Sequence, residues 1–144
     1  MQKGEDVEIC SRKLSRLIAI VNCEGIDVDF TMVEFYSEEE TIELWLWVKN
    51  QLSETIYVSL KNVCINNKQL YADYALDELE DGRSDYLKMI ITVRELKEIC
   101  SYAELKTVEF KVEIDDAEVK PLLWSNKIEI LLDMTGETYA VNVK

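Results

Sequence analysis

Thr41-Ile-Glu-Leu-Trp-Leu-Trp-Val-Lys-Asn50 decides how this chain is read. Ile42, Leu44, Leu46 and Val48 recur at every second residue, and Glu43, Trp45, Trp47 and Lys49 fill the positions between them. Successive side chains of a strand point to opposite faces, so each set shares a face; a helix would scatter both around its circumference. The segment is therefore a strand with one aliphatic face. Its two tryptophans stand on the face nominally turned to solvent.

The same period spreads outward in both directions. Ile26, Val28, Phe30 and Met32 alternate with polar residues, and with Leu17–Asn22 they form a hairpin whose turn holds Gly25. Ile56, Val58 and Leu60 alternate until the register shifts near Asn62, which predicts a bulge or bend. Asn66-Asn67 reads as a turn, with a short returning strand over Gln69–Tyr71. Tyr86–Ile91 is a strand, after which Thr92 caps a helix over Val93–Cys100, with Glu95 as the capping-box acid. Val108, Phe110, Val112 and Ile114 alternate without a break, Asn126–Leu132 is a penultimate strand, and Thr138–Val143 is a last strand at an edge. The stretch from Ala72 to Asp85 is acidic and irregular, and reads as a solvated loop with one helical turn at Tyr74–Leu79. Seven to eight short strands, one small helix and a single Pro predict an antiparallel sandwich, not parallel units joined by long helices.

Composition bounds the chemistry. The 144 residues carry 16 Lys+Arg against 29 Asp+Glu, a net charge of -13. That charge repels phosphate backbones and anionic membrane surfaces, and no basic run offsets it, so neither nucleic acid nor direct membrane contact is expected. No His is present, which removes the commonest general base and metal ligand and every Ser-His or Cys-His pair. The four Gly form no phosphate-binding loop, and no S-x-x-K occurs. Cys10, Cys23, Cys64 and Cys100 are widely spaced without a C-x-x-C, and read as free thiols. The first apolar run, Leu17–Val21, is shorter than a signal peptide requires, and nothing approaches the roughly 20 apolar residues of a membrane helix. The chain as written reads as cytoplasmic, or as an exported domain whose signal has been removed.

Two acidic constellations invite a chemical reading. Asp77-Glu-Leu-Glu-Asp-Gly82 resembles the start of an EF-hand, but Leu79 occupies a ligand position and Lys88 stands where the bidentate Glu belongs. An irregular cage of Asp73, Asp77, Asp81 and Asp85 is the remaining metal candidate, and the expectation is no metal and no cofactor. Asp115 with Asp116 or Glu118 could be drawn as a glycosidase pair, but neighbouring residues of a strand face opposite ways.

Val21–Val28, Ile42–Asn50, Ile56–Asn66, Ser84–Lys88, Glu95–Ile99 and Val108–Asp115, taken in order, resemble the small immunoglobulin-like β-sandwich domains of Firmicutes, a group without an assigned function. The resemblance covers residues 17–132 and departs from the group's pattern at Asn67, where Gly is usual. It implies an all-β, immunoglobulin-like antiparallel β-sandwich with one short helix, and it transfers no catalytic or binding residue. The expectation is one domain over 1–144 with its core at about 17–132, and a non-catalytic module that meets a protein or glycan through Trp45 and Trp47. The alternative is a cytoplasmic homodimer joined through the same strand, with a hydrolase third. Cover of the two tryptophans by the amino-terminal segment or by the 72–85 stretch is the competing structural reading.

Overall fold

The computed structural model describes residues 7–10 by their backbone and residues 18–144 in full. Twelve strands are present among them: β1 (Val7–Cys10), β2 (Ile18–Cys23), β3 (Ile26–Tyr36), β4 (Thr41–Asn50), β5 (Ile56–Ile65), β6 (Lys68–Gln69), β7 (Tyr74–Leu79), β8 (Ser84–Ile91), β9 (Thr107–Asp115), β10 (Pro121–Trp124), β11 (Ile128–Asp133) and β12 (Thr138–Val143). All pairings are antiparallel. One sheet runs β2-β3-β4-β8. The other runs β1-β12-β11-β9-β5, with β6 and β7 along the far side of β5 and β10 beside β9. If β3, β4, β5, β8, β9 and β11 are taken as strands A, B, C, E, F and G, the sheets read A-B-E and G-F-C, the immunoglobulin-like order. β7 falls between C and E and pairs with C.

The alternating sets meet between the sheets. Leu44, Leu46 and Val48 from β4, Val58 from β5 and Phe110, Val112 and Ile114 from β9 all belong to one buried cluster. Tyr139 of β12 meets Phe30 of β3 edge-on at 5.7 Å. With Tyr139 and Val141 buried, the core runs past residue 132. β12 is no edge strand, because β1 pairs along its outer side; the pattern of β12 alone could not announce a partner more than 120 residues earlier in the chain.

Turn chemistry sets the registers. Glu24 and Gly25 both have positive φ (44° and 93°), as the two-residue turn between β2 and β3 requires, and a Cβ on Gly25 would stand 3.0 Å from the Leu52 side chain. Asn66 and Asn67 (49° and 67°) repeat the device between β5 and β6. The bulge expected near Asn62 is present: the pairing of β5 with β9 slips between Lys61 and Cys64. The Asn66 carboxamide also reaches across the chain, accepting from the Lys106 and Thr107 N–H groups (2.8 and 3.0 Å) and donating to the Glu104 carbonyl (2.9 Å).

Two local expectations need correction. Tyr74–Leu79 is a strand, not a helical turn within a loop. Its alternation is hidden because Glu78 takes a positive φ of 52° and moves Leu79 out of step, so that Leu79 enters the core while the carboxylates stay in water. The helix α1 spans Val93–Leu96 and does not reach Cys100. Glu95 caps it, accepting from the Thr92 N–H at 2.9 Å and from the Thr92 hydroxyl.

The sheets are fastened at the β7/β8 edge. Tyr74 Oη donates to the Ile90 carbonyl across the gap at 3.2 Å. Burial, helped by the Glu95 charge, pushes its pKa up to about 12, so the phenol stays a donor. Asn50, only 1 % exposed, holds the same end: Nδ2 donates to the carbonyls of Glu54 (2.8 Å), Leu79 (2.9 Å) and Glu80 (3.2 Å), and Oδ1 accepts from the Leu52 N–H (3.0 Å).

Candidate functional site

Trp45 and Trp47 lie on the outer face of the four-stranded sheet, both half-buried. Their strand position sets them about 7 Å apart along β4. β8 completes the group. Its register places Tyr86 opposite Trp47 and Lys88 opposite Trp45, and the Tyr86 ring stands edge-to-face against both indoles, 5.1 Å from Trp45 and 4.6 Å from Trp47. Lys88 Nζ lies 4.1 Å from the Trp45 ring centroid, a cation–π contact. Trp45 Nε1 donates to Glu43 at 3.1 Å. On the other flank, β3 places Asp29 opposite Trp47 and Met32 opposite Trp45, and the Thr31 hydroxyl donates to the Trp45 carbonyl at 2.9 Å where β3 bulges.

The result is an aromatic row bordered by charge. Asp27, Asp29 and Glu34 of β3 and Glu43 of β4 line it with Lys49 and Lys88. The Asp29 carboxyl is held above its ordinary range by burial and by the neighbouring Asp27, with Lys49 opposing. Tyr86 and Ile90 are each 41 % exposed on β8. Tyr86 and Lys88 join the candidate residues Trp45 and Trp47 only through the structure, although Ser84–Ile91 carries the signal: Leu87 and Met89 face inward, so Tyr86, Lys88 and Ile90 must face out.

The 72–85 stretch does not lie across the tryptophans as a loop; it forms β7 in the other sheet and turns into β8. Of the amino-terminal segment, β1 pairs with β12 in the other sheet; cover by the rest of it, and the thiol of Cys10, lie outside the described residues. Cys23, Cys64 and Cys100 are free. Asp73, Asp77, Asp81 and Asp85 are all exposed, and among the described residues no three carboxylates or thiols converge on a point that could hold a metal ion.

The opposite sheet carries a different acid pair from those drawn around Asp115 above. Asp116 is a loop clamp, accepting from the N–H groups of Glu118 and Lys120, both at 2.9 Å. The partner of Asp115 is Glu113, two residues back on the same face of β9, and each is 9 % exposed. Burial and a hydrogen bond between the two carboxyls raise the Glu113 pKa, with Lys61 opposing. Trp124, 49 % exposed, stands opposite Glu113 on β10.

Fold and site together define a two-sheet antiparallel sandwich with an aromatic outer face. No family model and no curated protein matches the chain. Among solved structures it is similar to the solution structure of a late embryogenesis abundant (LEA) protein, at 15% identity and a TM-score of 0.36, over 74% of this chain and 71% of that one. It is also similar to part of β-glucosidase 3B from Thermotoga neapolitana, at 15% identity and a TM-score of 0.32, over 71% of this chain but 16% of the enzyme. Likenesses this distant decide nothing about activity.

Proposed function

We propose that the chain is a non-catalytic interaction module that engages a protein or glycan partner through the outer face of β3, β4 and β8. The observation that supports this reading is the Trp45–Tyr86–Trp47 cluster. The aliphatic sets of β4 and β8 already fill the inner side of the sheet, so packing the core does not call for three large aromatics on its outer side. Aromatic residues in such a position are the usual anchors of interfaces, offering a broad rigid surface together with a polar N–H or O–H.

Catalysis is the weaker reading. Glu113 and Asp115, each 9 % exposed on β9, offer little accessible carboxylate, and the chain has no His to act as general base. Self-association through the face is also weaker, because two copies would oppose four carboxylates and two ammonium groups with the same set.

A Trp45→Ser, Trp47→Ser double variant tests the proposal. It should fold, with a loss of stability in urea below about 3 kcal/mol, the low end for one truncated core aromatic. A loss of about 6 kcal/mol or more would mean that both indoles are core residues and that the face is structural.

A further inference from the structure

We propose that the partner is a cationic polypeptide segment, with an arginine side chain stacking on Trp47 while its guanidinium pairs with Asp29. This rests on the interaction-module reading above and names the chemistry of its partner. Lys88 shows what the face attracts: an ammonium group of the chain itself sits over Trp45, drawn by the negative face of the ring. Trp45 thereby has its cation from Lys88, its edge contact from Tyr86 and its N–H partner in Glu43. Trp47 has the Tyr86 edge, but among the described residues no cation lies over its ring.

Asp29 stands beside Trp47 in the register, and burial and Asp27 disfavour its charge more than Lys49 favours it. An incoming cation would relieve that imbalance while meeting the open indole. Around the row, Asp27, Asp29, Glu34 and Glu43 outnumber Lys49 and Lys88, and the net charge of -13 steers positive partners toward the molecule. Arginine suits the pair better than lysine, since a planar guanidinium can stack on an indole and offer two parallel N–H bonds to one carboxylate.

The test is calorimetric titration of the full chain with acetyl-Arg-Gly-Arg-Gly-Arg-amide, its citrulline counterpart (the same shape without charge) and the neutral sugar cellohexaose. The arginine peptide should bind saturably and the citrulline peptide should not. Trp47→Leu and Asp29→Asn should each weaken binding about tenfold. Glu118→Gln, which makes the same change of net charge in the exposed loop before β10, should alter it by less than about twofold. If Trp47→Leu fails to fold, the comparison of Asp29→Asn with Glu118→Gln still decides. Equal weakening by those two would show that only bulk charge is sensed and would overturn the inference, as would no binding of the arginine peptide. Trp47-dependent binding of cellohexaose without the peptide would overturn the inference and leave the interaction module standing. No binding by any probe, with Trp47 shielded from solvent, would overturn both.

Discussion

Asn50 shows how much one polar residue can hold. Its side chain satisfies three carbonyls and one N–H at the point where the chain leaves β4 for the other sheet and where β7 turns into β8. Removing it leaves buried acceptors without donors, which costs more than the bonds themselves contribute. Asn50→Ala should therefore lose about 2–4 kcal/mol in urea unfolding; a loss below about 1 kcal/mol would show that water replaces the carboxamide. Glu113 makes a second forecast at this scale, with a definite sign. Its folded pKa is raised above the ordinary 4.5, so its contribution to stability is fully present below about pH 4.5 and is lost as pH rises through the folded value. Glu113→Gln keeps a donor toward Asp115 without the charge. Its stability relative to the parent should improve between pH 4 and pH 7, and a difference that stays constant over that interval would contradict the raised Glu113 pKa.

At the scale of the element, legibility followed periodicity. β4 and β9 alternate without interruption, and their inward faces read directly from the sequence: Leu44, Leu46, Val48, Phe110, Val112 and Ile114 are each buried with no measurable exposure. Phe110→Ala should cost about 3–5 kcal/mol; a loss below about 1 kcal/mol would mean that β9 faces the other way. In β7, six residues long, the positive φ at Glu78 breaks the period before it can show, and the acidic residues there also have low strand propensity. β10 was missed because four residues are too few to show a period, and β12 was misplaced because its second neighbour is distant in sequence. The site was half legible for a related reason. Trp45 and Trp47 declare themselves on a single strand, whereas their link to Tyr86, Lys88 and Asp29 exists only through cross-strand registers that no local pattern specifies.

At the scale of the whole molecule, partner binding requires that one outer sheet face keep its aromatic row open to solvent. The most direct measurement uses the full chain with Trp47 as its only tryptophan (Trp45→Phe, Trp124→Phe), combining acrylamide quenching of fluorescence with sedimentation at the same concentration. Acrylamide is neutral, whereas iodide would be repelled by the net charge of -13 and would understate access. The expected result is a monomer whose Trp47 emission is red-shifted and readily quenched. Blue-shifted, protected emission in a monomer would contradict it, because the chain would then be covering its own face; protected emission in a dimer would show that the face belongs to a second copy.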